Sequence, residues 1–169
     1  TLIQTRSSCL GSATQLSVIV KNKMHTKDEN WSISVKLSDT QLEKVVIYGQ
    51  SKNWSESGFR KTLCILETSI KGKVFQAEAT DYFEAFANLR NLFQKEQIIP
   101  LCYGADLNTY PSGMARDMGK GLKAYHYKKG KHAKREDLVH IFESGEGIQV
   151  STVEEQKQNF LNWVKSERT

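Results

Sequence analysis

The side chains best suited to chemistry gather in one stretch, Cys102–Lys134. Its first part reads Cys-Tyr-Gly-Ala-Asp-Leu-Asn-Thr-Tyr-Pro-Ser-Gly-Met-Ala-Arg-Asp-Met-Gly-Lys-Gly, which places Asp106, Asn108, Tyr110, Ser112, Arg116, Asp117 and Lys120 close together. Carboxylates, hydroxyls and cations in a glycine-punctuated loop are the materials of a polar pocket for a small molecule. The same residue types also cap one another and hold irregular loops in shape, because Asp, Asn, Ser and Gly are turn formers. A loop beyond about 12–15 residues without regular structure is usually functional or disordered. The aromatics and methionines in this one argue against disorder. The spacing predicts a single helical turn over Ser112–Met118, capped by Ser112 and ended by Gly119.

Catalytic constellations are weak. A Ser112/His126/Asp106 triad can be drawn, but nothing in the spacing brings a nucleophile and a base together. No catalytic residue is assigned. His25, His126, His132 and His140 show no His-x-x-x-His or Glu-x-x-His pairing that would put two ligands on one helical turn. Neither a metal nor a cofactor is therefore expected, and His126 reads as a hydrogen-bonded, partly buried side chain. Gly113–Lys120 is one residue too long for a phosphate loop, and Gly121 stands where the metal-binding hydroxyl belongs. Lys120–Tyr127 departs from the aromatic RNA-binding strand signature at Leu122 and Lys123.

Charge is the stronger signal. Between Met114 and Arg135 stand eight basic residues and the single acid Asp117, a local net of +7 against +5 for the whole chain, so the remainder carries about −2. On a strand, Lys123, Tyr125, Tyr127 and Lys129 share a face, and Lys128, Lys131, Lys134 and Arg135 extend it. Such a hairpin could track a phosphate backbone and stack bases, steer an acidic protein partner, or serve as a solvated cover for a sheet edge.

The elements that must position these residues follow from periodicity. The chain has 169 residues, 38% hydrophobic and 25% charged, which fits one globular domain. Residues 1–23 read as an appendage or edge strand ahead of Met24, and 24–169 as a single α+β domain. Trp31, Ile33, Val35 and Leu37 alternate with polar residues as in a half-buried strand. Val45–Tyr48 suits a more buried strand, Gly49–Gly58 a hairpin loop, and Phe59–Thr68 and Lys73–Ala79 two further strands around a turn at Gly72. Tyr82, Phe86, Leu89 and Phe93 recur at helical spacing behind an Asp81/Glu84 cap. Ile98–Tyr103 and Leu122–Tyr127 return to strand, and Arg135–Phe142 suits a short helix. Thr152–Ser166 suits a longer helix with Val153, Phe160, Leu161 and Val164 on one face. The expectation is an antiparallel sheet of four to six strands packed against two main helices.

No apolar run approaches the roughly 18–20 residues of a membrane span, and no signal-peptide core is evident. Cys9, Cys64 and Cys102 are scattered and odd in number, which fits a reducing compartment and a cytoplasmic protein. Cys64 and Cys102 lie in apolar stretches and read as buried structural thiols.

The string Tyr110-Pro-Ser-Gly-Met-Ala-Arg-Asp-Met-Gly-Lys-Gly-Leu-Lys-Ala-Tyr125, with Cys102-Tyr-Gly-Ala before it and Glu136-Asp-Leu-Val-His-Ile-Phe142 after, resembles a group of small uncharacterised bacterial proteins. The resemblance runs from Met24 to about Lys165 and carries no catalytic residue with it. Some small α+β bacterial proteins are immunity partners of secreted toxins, an analogy of size and architecture. The resulting expectation is a non-enzymatic protein that binds a protein partner. The alternatives are a nucleic-acid binder using Lys120–Arg135, and a small-molecule site or enzyme at Asp106–Lys120.

Overall fold

A computed structural model describes residues 29–38, 40–167 and 169. The expectations for residues 1–23 fall outside them. Strands β1 (Glu29–Lys36), β2 (Leu42–Glu56), β3 (Phe59–Ile70), β4 (Lys73–Ala79) and β5 (Ile99–Pro100) form one antiparallel sheet in the order β4-β3-β2-β1-β5. A second, smaller sheet joins β6 (Thr109–Tyr110), β7 (Lys123–His126) and β8 (Leu138–His140) in that order. Three helices accompany them: α1 (Tyr82–Lys95), the short α2 (Gly113–Gly119) and α3 (Val153–Lys165). The architecture is α+β, as the periodicity implies.

The alternating strand and the helical stripe meet in the core. Ile33, Val35, Val45, Ile47, Cys64 and Leu66 point to the side covered by α1, where Tyr82, Phe86, Leu89 and Phe93 are all fully buried. Each such aromatic or aliphatic side chain contributes about 1.5–3 kcal/mol over its exposed state. Asp81 caps α1, its Oδ1 accepting the Glu84 N–H at 2.8 Å. The tight turns at Ser57–Gly58 and Lys71–Gly72 have positive φ at both residues, which matches the right-handed twist of the hairpins they close.

Four local expectations are corrected. Val45–Tyr48 is no more buried than β1, because Val46 is 39% exposed on the wet face. Gly49–Gly58 is not a loop: β2 runs on to Glu56, and the turn is Ser57–Gly58 alone. The polar run in this arm reflects a two-stranded ribbon with both faces in water around residues 52–61. Ile98–Tyr103 pairs only through Ile99 and Pro100, then passes into a 3₁₀ turn over Tyr103–Ala105. Arg135–Phe142 is no helix. A 3₁₀ turn at Arg135–Asp137, closed by Lys134 N–H donating to Asp137 Oδ2 at 2.7 Å, leads into β8.

Gly49 is a strand glycine because Trp31 lies across it. A Cβ there would sit 2.6 Å from Trp31 Cζ3 and 3.2 Å from Tyr82 Cε1. Trp31 in turn stacks on Phe142 at 4.6 Å and meets Tyr82 edge-on at 5.4 Å. Gly49→Ala is therefore expected to cost about 1–3 kcal/mol by overpacking, read as a lowered thermal midpoint. Combining it with Trp31→Phe, which shrinks the obstructing ring, should cost less than the sum of the two single changes.

Candidate functional site

The polar loop folds into a buried knot. β6 places Thr109 opposite His126 of β7. Asp106, fully buried, accepts from Asn108 N–H (3.2 Å) and Thr109 Oγ1 (2.8 Å) on Oδ2 and from Gln149 N–H (2.8 Å) on Oδ1. His126 Nδ1 lies 3.0 Å from the same Oδ2 and 3.1 Å from Thr109 Oγ1. An ionised carboxylate only accepts, so the proton on this side of the ring sits on Nδ1.

Behind the knot, α1 and α3 each send in a polar side chain. Arg90 Nη1 donates to Gly104 O (2.9 Å) and to Gln156 Oε1 (2.7 Å), while Nη2 donates to Ser151 O (2.5 Å). Gln156 Nε2 donates to the carbonyls of Gly104 (3.1 Å), Asp106 (2.8 Å) and Thr109 (2.9 Å). These bonds satisfy main-chain groups that an irregular buried segment cannot pair within itself. They also explain why α3 is turned differently from its apolar pattern. Gln156 and Trp163 face inward, whereas Leu161 and Val164 are 39% and 42% exposed.

The Asp106–His126 pair could in principle orient an imidazole as a base. Ser112, the third member of the drawn triad, is spent elsewhere: its Oγ caps α2 by accepting the Ala115 N–H at 3.2 Å. Among the described residues no hydroxyl or thiol bonds Nε2 of His126. Burial pushes the thiols up, Cys64 to about 11 and Cys102 to about 12, so both remain protonated. Among the described residues no three His, Cys, Asp or Glu side chains gather as metal ligands.

The other loop residues are dispersed. Arg116 leaves Asp106 aside and donates from Nη1 to Asp81 Oδ2 at 2.9 Å, its guanidinium packed near the Phe83 and Tyr110 rings. Asp81 thus caps α1 and ties α2 to it. Lys120, not Gly119, ends α2 in the left-handed conformation, and its Nζ donates to Ser51 Oγ at 2.7 Å. Gly121 follows at φ +70°, and a Cβ there would meet Asp81 Oδ1 at 2.7 Å. Asn108 accepts from Asn159 Nδ2 at 3.1 Å, Tyr110 stacks on Phe160 at 4.2 Å, and Asp117 is exposed.

The basic hairpin is also rearranged. Lys123 and Tyr125 stay accessible on β7, but Tyr127 is buried beyond the strand end. Its ring lies 4.7 Å from that of Trp163, its hydroxyl bonds Asn159 Nδ2 at 3.0 Å, and burial pushes its pKa to about 12. Lys128, Lys129, Lys131, Lys134 and Arg135 lie exposed on the connection to β8. Trp163 Nε1 fastens that connection by donating to Lys128 O and Lys131 O.

A groove of about 430 Å³ opens between α2 and the β7/β8 strands, with Met114, Met118, Leu122, Lys123, Tyr125 and Leu138 in its wall. Met114 and Met118 are 72% and 81% exposed. His140 also borders it, its pKa lowered by burial, so the imidazole is neutral there at neutral pH. Comparison with known proteins finds no matching family model and no matching curated protein. No helix among the described residues is long and apolar enough to cross a membrane.

Sequence reading missed Arg90, Gln156, Asp81 and Trp163 as organisers of this region. Arg90 did leave a trace: it is a cation inside the stripe Phe86, Leu89, Phe93. The others have partners more than thirty positions away, which no local pattern reveals.

Proposed function

We propose that this is a non-enzymatic binding protein whose contact surface is the groove between α2 and β7/β8. Its partner is a protein that presents apolar side chains among carboxylates. The observation that carries this reading is the pair Met114 and Met118, 72% and 81% exposed one helical turn apart, with Lys123 of β7 in the wall of the same groove. Methionine is flexible and polarisable, a side chain used at surfaces that adapt to a partner. Lys123 at the groove and the exposed lysines of the connection to β8 favour a partner of opposite charge and speed its encounter. A secreted toxin with an acidic, apolar-knobbed face fits this description, and neutralising such a toxin is the role we favour.

The burial of Tyr127 weighs against the nucleic-acid alternative, because one of the two rings offered for base stacking packs inside against Phe160 and Trp163. Dispersal of the polar Asp106–Lys120 side chains weighs against a polar small-molecule pocket built from them.

The test is capture from native cytosol with crosslinking, followed by affinity measurement with the purified partner. Met118→Glu and a combined Lys128→Gln, Lys129→Gln, Lys131→Gln variant are compared with wild type. Met118 is exposed, so its variant should keep the wild-type melting midpoint. The expected result is a protein bound at least about tenfold more weakly by Met118→Glu, a loss of about 1.4 kcal/mol, and more slowly by the lysine variant. Equal affinity for all three proteins, or capture of nothing, overturns the proposal. Capture of nucleic acid with affinity falling steeply in salt supports the other reading instead.

A further inference from the structure

A second groove, also of about 430 Å³, lies between the C-terminal half of α1, strand β5 and the start of α3. It shares no lining residue with the methionine groove. Ile98, Ile99, Pro100, Val150 and Val153 give it apolar walls, and Arg90 contributes to its lining although only 5% exposed. Its size falls within the range of small-molecule sites, about 300–1,000 Å³.

Arg90 is the unusual member. All three acceptors of its guanidinium are uncharged: two main-chain carbonyls and the Gln156 amide oxygen. Its Nε–H and one Nη2 N–H have no acceptor among the described residues. None of the ion pairs among the described residues includes it. Burial lowers its pKa to about 10, and among the described residues no carboxylate opposes that shift. Glu155, the one acid among the described residues lining the groove, is turned back on the α3 cap, its Oε2 accepting Thr152 N–H at 2.8 Å and Thr152 Oγ1 at 2.9 Å. A buried cation without a counter-ion is costly, and a ligand that supplies one while covering apolar wall would relieve two penalties together. A guanidinium edge also matches a carboxylate in a bidentate geometry.

We propose that this groove binds a small apolar monocarboxylate, its carboxylate meeting the open edge of Arg90 and its hydrocarbon lying along Ile98, Ile99 and Val150. The charge selects the head group, and the walls select the tail.

Sodium octanoate, octanol and octylamine serve as probes for the full chain, with binding followed by calorimetry and by the Arg90 Nε–H resonance. Octanoate is expected to bind saturably, to shift that resonance, and to bind at least tenfold more tightly than octanol or octylamine. Val150→Trp, which fills the groove at a position 38% exposed without removing Arg90, should fold normally and lose the octanoate response. The inference fails if octanol binds as well as octanoate, if octanoate leaves the Arg90 resonance unmoved, or if Val150→Trp binds it like wild type. Absence of saturable octanoate binding overturns it as well. Because Met118 lies elsewhere, Met118→Glu should bind octanoate normally whatever becomes of the protein partner.

Discussion

Gln156→Leu is expected to lower the stability of the protein by about 3 kcal/mol, although leucine would bury a comparable apolar side chain in its place. The side chain is 1% exposed and sits on the second turn of α3, where an apolar residue would look natural. Its amide is nonetheless shared by four partners: three main-chain carbonyls at 3.1, 2.8 and 2.9 Å, and the Arg90 guanidinium at 2.7 Å. Gly104 O retains Arg90 and Asp106 O retains Thr109 N–H after the change, so these two carbonyls lose part of their bonding. Arg90 Nη1 loses one acceptor of its buried positive charge, and that is the larger cost, since hydrogen bonds to charged groups are worth about 1.5–3 kcal/mol each. The urea midpoint should fall with the denaturant slope unchanged, because the exposed area on unfolding is nearly the same. A loss under about 1 kcal/mol would mean that water or a shifted backbone replaces the amide easily, and that the knot is not what fixes the loop.

Why such a residue escapes a sequence reading can be stated physically. Elements whose partners are local, or whose burial repeats with a fixed period, are legible: Trp31–Leu37 alternates, Tyr82–Phe93 keeps a 3.6-residue stripe, and Thr152 and Glu155 spell out a capping box. The β2–β3 arm is illegible by the same logic, because both its faces are wet and its polar residues look like a loop. Arg135–Phe142 misleads because a charged turn followed by three strand residues imitates a short amphipathic helix. The site is harder still. Asp106 was visible as a loop carboxylate, but its bonds to His126 and Gln149 span 20 and 43 positions, and Asp81 meets Arg116 across 35. Residue types in Asp106–Lys120 suggested one pocket. Competing partners elsewhere in the fold drew them apart, and the accessible features left over are the methionines and lysines.

Asp106→Ala should be among the most damaging single changes in the protein, at about 4 kcal/mol, and Asp106→Asn should be clearly milder, at about 1–2 kcal/mol. Alanine leaves the N–H groups of Asn108 and Gln149 without the acceptor that the fully buried Asp106 supplies, in bonds that are themselves part-buried. Those two orphaned donors account for most of the cost. The hydroxyl of Thr109 can rotate, and the His126 ring is 30% exposed and can take water. Asparagine keeps the shape and one oxygen. Placed toward Gln149 N–H, that oxygen preserves the 2.8 Å bond, and the new NH₂ faces Thr109 Oγ1 and His126 Nδ1. Both can accept if His126 moves its proton from Nδ1 to Nε2, so only Asn108 N–H is left in conflict. The predicted signature is therefore a change of tautomer, visible in the ¹⁵N shifts of the His126 ring: Nδ1–H in wild type and Nε2–H in Asp106→Asn. Equal destabilisation by Ala and Asn, or an Nε2–H tautomer already present in wild type, would show that Asp106 does not hold His126 through Nδ1. The pairing would then owe its geometry to the β6–β7 register alone.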